Sequence, residues 1–360
     1  MPILTDPLTL ATGSVLQNRF ALAPLTNQQS HDDGTASEHD LHWFEQLAGG
    51  GYSMLTTAAA NVQTNGKSFA GQLGIYDDRH IPGLSAMAEI AHRHRTLASV
   101  QLHHGGMFAR QELIGSEALV GPSDNEETGA RALTLPEVEQ LRDDFITGAG
   151  RAQRAGFDGV ELHGAFGFIL SAFLSPQTNR RTDLYGKNPE GRSRLLREII
   201  QGIRAGCGPD FHIGLRLALS GQDPHLPELR DLVAVFLERG LVDYLDLVVR
   251  SLDTRVEGGL HTGEVLVDLF TDLPRGTTVV GVSGDVMSAA GAQRALDHGS
   301  DFVFVASGAV VHHDFPQRAL ADHAYETPRP PLPASFFRDQ GRSPAFVNYL
   351  EESLGFVQAQ

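Results

Sequence analysis

The sequence predicts an α/β protein, a (β/α)8 barrel of the TIM type, forming a single domain with a loop excursion after the third strand and a C-terminal extension. Three observations carry this reading. Short apolar runs alternate with amphipathic stretches along most of the chain, which implies a parallel sheet. There are eight such runs, the number that closes a barrel rather than an open doubly wound sheet. The runs are almost continuously apolar, as strands are when both of their faces are buried.

The first run covers residues 19–23 and leads into Pro24, Leu25 and Thr26. The second, 53–58, ends in Thr57, Ala58 and Ala59. The third, 97–102, carries Gln101 near its end and is followed by His103 and His104. The fourth, 157–163, is interrupted by Asp158 and Glu161 and stops at His163, where Gly164 opens a long polar loop. The fifth, 211–217, holds Arg216, and the sixth covers 244–249. The seventh, 277–282, runs into Ser283-Gly284-Asp285, and the eighth, 301–305, into Ala306-Ser307-Gly308. Amphipathic stretches at 81–95, 135–155, 192–205, 229–239 and 289–298 supply helices between them.

Two segments exceed a minimal barrel. Residues 108–131 are polar and rich in Gly and Glu, an excursion after the third strand. Residues 325–360 begin with a proline cluster that cannot be regular helix and then carry Phe336, Phe337, Phe346, Tyr349, Leu350 and Phe356. The division that follows is a barrel over 1–324 and an extension over 325–360, lying across the barrel or a neighbouring subunit.

The bulk numbers set limits. The 360-residue chain is 41% hydrophobic and 20% charged, with a formal net charge of −16. An acidic surface of this kind argues against nucleic acid or an anionic membrane as partner. Cys207 is the one cysteine, so no intrachain disulfide can form and a cytoplasmic location is expected. Neither a signal peptide nor a run of transmembrane length is read in the sequence. The histidine pairs 103–104 and 312–313 lack a completing ligand pattern, so no metal site is expected.

In a (β/α)8 barrel the C-terminal ends of the strands carry the chemistry. An amide (Gln101), an arginine (Arg216) and a histidine (His163) converge there, beside glycine-containing loops after strands seven and eight. Those two loops are the fold's usual phosphate site, where helix N-terminal N–H groups meet an anion. Such a set suits a planar polar heterocycle bearing a phosphate: Gln101 can donate to and accept from a pyrimidine-like edge, and Arg216 can stabilise charge on a reduced ring.

The motifs NRFALAPLT, GGYSMLTTAAA, QLHHGG and GFDGVELHGA followed by FLSPQTNRRTDLYG closely resemble those of the Old Yellow Enzyme family of flavin-dependent reductases, from about residue 7 to 316. NGKSFAGQLGI and VVHHDFP resemble one bacterial branch of it. The resemblance implies a barrel that binds FMN non-covalently, takes NADPH or NADH as reductant, and acts on a small molecule such as an activated alkene or a quinone. It implies a homo-oligomer. Pro24, Leu25, Thr26, Ala58, Gln101 and Arg216 fall on flavin-contacting positions, with Thr26 tuning the flavin. Ser283, Gly284, Ala306 and Ser307 fall at the phosphate. His163 falls on the first of two residues that hydrogen-bond the substrate oxygen.

The chain departs from the pattern where Phe166 replaces the second of those residues, an Asn or His, and Phe168 replaces the proton-donating Tyr. Losing one such donor costs about 2.7–4 kcal/mol of transition-state stabilisation, and losing a general acid a factor of roughly 10²–10⁴. Ser307 stands where the family has the arginine that holds the phosphate, a charge-assisted contact worth about 1.5–3 kcal/mol; Arg250 and Arg255 are the candidates to replace it. Met107 replaces another arginine. Arg180, Arg181, Asp183 and Tyr185 are read as shaping the loop above the site. Weak reduction of ordinary enones is the expectation. The alternative is a flavin-binding or flavin-free barrel acting as a binding or assembly protein.

Overall fold

The computed structural model describes residues 2–358, so residues 1, 359 and 360, the last two belonging to the extension, lie outside it. Eight parallel strands close on themselves: β1 (Phe20–Leu22), β2 (Met54–Thr56), β3 (Leu97–His103), β4 (Gly159–Gly164), β5 (His212–Ala218), β6 (Tyr244–Val248), β7 (Val279–Ser283) and β8 (Phe302–Val305). Closure comes from the pairing of β8 with β1 and of β2 with β3. All eight strands fall within or beside the apolar runs; β1, β2, β6 and β8 lie inside those runs, and β3, β4, β5 and β7 reach one residue beyond them.

Helices α1 (Glu38–Ala48), α2 (Ile81–Arg93), α3 (Leu135–Arg154), α4 (Arg194–Cys207), α5 (Leu226–Glu238) and α6 (Ala289–Asp297) surround the barrel. α1 is absent from the amphipathic stretches read in the sequence. It is defined by a capping box, in which the Ser37 side chain accepts from the Asp40 N–H and the Asp40 carboxylate accepts from the Ser37 N–H. After β6 only the short turn Asp268–Thr271 is helical.

The lower half of the barrel is apolar. Tyr244, Phe302 and Phe304 pack there with Met54 and Ala21, and the N-terminal hairpin (Leu8–Thr9 with Val15–Leu16) closes that end through Leu10 and Leu16. Glycine makes room for these rings. A Cβ at Gly214 would lie 2.0 Å from the Tyr244 ring, and one at Gly281 would lie 2.6 Å from that of Phe304. Because side chains alternate along a strand, register then decides what faces inward above this floor. Gln101 is paired with Glu161, His163 with Arg216, and Arg216 with Asp246, so all five share the interior.

In the excursion after β3, a single turn (Gln111–Ile114) precedes Val120–Gly121, which pairs with Arg131–Ala132. The extension folds back on α1. Phe346, on helix α7 (Pro344–Glu352), meets Trp43 at 5.5 Å between ring centroids, and the Arg342 guanidinium stacks on Trp43 at 4.0 Å. Phe337, Phe346 and Leu350 are fully buried, which at about 1.5–3 kcal/mol each is enough to order the segment.

Candidate active site

Pro24, Thr26, Gln101, His163, Phe166, Phe168 and Arg216 line a single cavity of ≈ 450 Å³ at the C-terminal mouth. Beneath them lies a buried polar layer. Gln101 Nε2 donates to Glu161 Oε1 at 2.8 Å, and the Tyr244 hydroxyl donates to Glu161 Oε2 at 3.2 Å. Arg216 is ion-paired with Asp246, which also accepts from Ser283 Oγ at 3.2 Å. Burial raises the pKa of Glu161 and of Asp246; Asp246's charge adds to the effect on Glu161, and Arg216 opposes it at both. Gln101 and Arg216 are thus held from below, so their remaining polar atoms can meet a bound group without rearrangement.

Two buried histidines stand above that layer. His103 Nδ1 lies 2.9 Å from His163 Nδ1, and His103 Nε2 lies 2.8 Å from Ser68 Oγ. His163 Nε2 is buried with no hydrogen-bond partner. Burial, reinforced by the neighbouring His104, brings the His103 pKa down to about 3. Burial, with His103 and Arg216 adding to it, holds His163 well below its usual value. Both imidazoles are therefore neutral at neutral pH. His104 points elsewhere, accepting from the Gly106 N–H at 2.9 Å and facing Asn65 at 3.2 Å. Among the described residues, no group of three or more His, Cys, Asp or Glu is placed to hold a metal ion.

The aromatic residues behave differently from each other. Phe168 packs on His103 edge to face at 4.4 Å and also touches His163 at 5.0 Å. Phe166 is 54% exposed, its backbone is in the left-handed region at φ 60°, and the Arg216 guanidinium lies 6.0 Å from its ring centroid. A bulky residue in that conformation is strained. Phe166 and Phe108 also line an adjoining cavity of ≈ 830 Å³ that Met107 borders, between the loop after β4 and α5.

The remaining sequence candidates lie apart from this cavity. Leu25 and Ala58 line a narrow recess with Trp43 and Thr56. Ser283 and Gly284 end β7, and Ala306 and Ser307 lead from the neighbouring β8 into the short helix Ser307–Val311. The Ser283 hydroxyl is engaged with Asp246, and a Cβ at Gly284 would lie 2.7 Å from Val249. Arg255 donates to the Gly263 carbonyl in its own loop at 2.6 Å, and Arg250 is exposed. Arg181 is ion-paired with Asp183 at 2.6 Å and donates to the Pro122 carbonyl, tying the polar loop to the excursion.

Sequence reasoning missed three contributors. Tyr349, on α7, reaches the cavity beside Thr26; burial raises its pKa and the Thr26 side chain opposes the rise. Ser68 comes from the loop after β2 and has no local signal. His103 does have one: it lies two residues after Gln101 on the same strand and so shares its inward face.

Residues 4–234 match the family described as NADH:flavin oxidoreductase / NADH oxidase. A probable NADH-dependent flavin oxidoreductase of Bacillus subtilis, YqiG, is 34% identical over 311 residues, 83% of each chain. An NADH oxidase of Thermoanaerobacter brockii is 29% identical over 85% of this chain, which spans only 49% of that longer protein. Among solved structures, the Old Yellow Enzyme of Pichia sp. AKU4542 superposes with a TM-score of 0.78 at 26% identity, covering 90% of this chain and 88% of its own. The chain belongs to the NADH:flavin oxidoreductase / NADH oxidase family, that of the Old Yellow Enzymes, whose cofactor is FMN with a reduced nicotinamide as reductant.

Proposed function

We propose that this member of the family uses NADH or NADPH to reduce FMN and passes the hydride to a bulky, largely apolar acceptor, an activated alkene or a quinone. The observation that carries the reading is the convergence of Gln101, Arg216, Thr26 and His163 on one cavity, with a buried His163 Nε2 left without a partner. That donor set fits a flavin ring with a substrate carbonyl above it. Gln101, Arg216 and Thr26 would hold the ring, and Ser283, Gly284, Ala306 and Ser307 would meet the phosphate through backbone N–H groups and one hydroxyl. The bound cofactor supplies the hydride. Arg216, anchored by Asp246, would stabilise negative charge on the ring, and His163 would hydrogen-bond the substrate oxygen. Phe166 and Phe168 supply an aromatic wall in place of two polar groups, which favours apolar substrates and weakens the grip on small enones.

The test is the visible spectrum of the purified protein before and after adding FMN and desalting, followed by NAD(P)H oxidation with a quinone and with cyclohexenone. Retained flavin and faster turnover with the quinone support the reading. A protein that stays colourless with added FMN overturns it in favour of a flavin-free binding protein. In the flavin-loaded protein, Phe166→Asn with Phe168→Tyr is expected to raise cyclohexenone turnover by at least about tenfold, one lost donor being worth roughly 10²–10³ in rate. An unchanged rate would remove the role given to these two positions. A homo-oligomer, which the family resemblance implies, is proposed as well, to be checked by light scattering.

A further inference from the structure

Ser68, His103 and His163 form a hydrogen-bonded row along the wall of the cavity. The contacts are Ser68 Oγ to His103 Nε2 at 2.8 Å and His103 Nδ1 to His163 Nδ1 at 2.9 Å, beyond which His163 Nε2 is free of partners. We propose that this row is a proton relay, in which Ser68 and His103 deliver a proton through His163 to the oxyanion formed on the substrate. His103 is then a positioning residue acting through His163, and the row takes over a task that Phe168 cannot perform. The proposal rests on the ene-reduction reading above.

Hydrogen-bond arithmetic carries the argument. A neutral imidazole has one N–H and one lone pair, so a bond between two Nδ1 atoms requires one of each. If His103 Nδ1 donates, His103 Nε2 accepts from the Ser68 hydroxyl, and His163 must carry its proton on Nε2, the atom left without a partner. If His163 Nδ1 donates, its Nε2 is bare, and His103 Nε2 donates toward Ser68. Both arrangements hold the same number of protons; passing from the first to the second releases one from His163 Nε2 and takes one up at Ser68. The row can therefore deliver a proton without either ring becoming an imidazolium, the form that burial disfavours at both.

The surroundings hold the row in place. His103 and His163 occupy inward positions of the paired strands β3 and β4. The Phe168 edge contact restrains the His103 ring. A Cβ at residue 105 would lie 2.4 Å from Ser68 Oγ, so Gly105 leaves the room that the hydroxyl needs. Ser68 is partly exposed and can be recharged by water.

The alkene takes a hydride from the reduced cofactor at its β-carbon, and the C=C electron pair moves through the α-carbon onto the carbonyl oxygen. That oxygen takes the proton from His163 Nε2. His163 Nδ1 takes the proton of His103 Nδ1, His103 Nε2 takes that of the Ser68 hydroxyl, and Ser68 recovers one from solvent. The resulting enol becomes the saturated ketone in water.

The experiment has two readouts. Nitrogen NMR of the purified full chain labelled with 15N-histidine reports the tautomers directly. The expected result is His163 protonated on Nε2 and His103 on Nδ1. A bare His163 Nε2, or an imidazolium in either ring at neutral pH, overturns the relay. In the flavin-loaded protein, stopped-flow absorbance gives the ratio of flavin reoxidation by an enone to flavin reduction by NAD(P)H. His103→Asn preserves a hydrogen bond to His163 but cannot relay, and this ratio is expected to fall roughly a hundredfold. Ser68→Ala should lower it less. A curved dependence of the wild-type reoxidation rate on solvent deuterium content would show several protons moving together. A linear dependence, or a ratio within about twofold of wild type, overturns the proposal. If the wild-type chain holds no reducible flavin, the functional reading fails by itself, while the tautomers still decide whether the row is set to donate.

Discussion

The β3–β5 side of the barrel mouth and its β7–β8 side are built from different materials. On the first side, Gln101, His103, His163 and Arg216 are buried side chains, each with a partner on a neighbouring strand or, for His103, also on the loop after β2. On the second, Ser283 is turned toward Asp246, Gly284 is packed against Val249, and Ala306 and Ser307 lead into a short helix with no side-chain cap. The half that would meet the flavin ring and the substrate is thus rigid and charge-bearing. The half that would meet the phosphate relies on backbone N–H groups. The difference teaches that chemistry at the ring and anchorage at the phosphate are separable, because they are carried by different strands and share no hydrogen bond apart from the Asp246–Ser283 contact.

Substitutions on either side test that separation. The largest effect is expected from His163→Leu, which removes the unpartnered imidazole nitrogen assigned to the substrate oxygen. Enone turnover should fall by about 10²–10³, or about 2.7–4 kcal/mol, while the flavin absorption spectrum is retained. Loss of the flavin in this variant would mean that the two sides are not separable. Next, Ser307→Arg should tighten FMN, by about 1.5–3 kcal/mol if the new guanidinium reaches the phosphate, as read by fluorescence titration of the apoprotein. The ratio of the two half-reaction rates should stay near that of the parent protein. An equal or weaker affinity would show that the backbone site already satisfies the anion.

The smallest step is a stability effect to which the histidines of the β3–β5 side contribute most directly. Burial brings His103 down to about 3 and His104 to about 4 in the folded chain, both below the ordinary imidazole value of 6.5. The unfolded chain therefore binds more protons than the folded one between those values. The stability due to keeping these rings neutral is complete above pH 6.5 and is lost as pH falls toward 4. The slope is about 1.4 kcal/mol per pH unit for each histidine. Buried Glu161, whose pKa is raised, acts in the opposite sense, losing stability as pH rises, so the net slope is shallower than the histidine sum. Urea unfolding midpoints between pH 6.5 and 4.5 should decline, and a flat profile would mean that the histidines are solvated.

Much of this was legible in the sequence because it follows from periodicity and strand-end position. Eight apolar runs give the barrel, since a strand buried on both faces has to be apolar throughout. Gln101, His163 and Arg216 were found because polar residues near the ends of such strands have few other places to go. His103 is harder to read: His104 beside it points elsewhere, and only the inward phase that His103 shares with Gln101 leads to His163. Helix α1 was missed because its signal is a cap, Ser37 with Asp40, more than a stripe.

What the sequence determined alone is the barrel, the face that carries the polar residues, and the presence of Phe166, Phe168 and Ser307 at the ends of two of its strands. These depend on local pattern and residue type. What only the tertiary structure decided is which groups meet. Ser68 and His103 are 35 positions apart, His103 and His163 60 apart, and Tyr349 reaches Thr26 from the far end of the chain. Barrel closure and the register of β3, β4 and β5 set those encounters, and they involve distances along the chain over which residue type carries no information about contact.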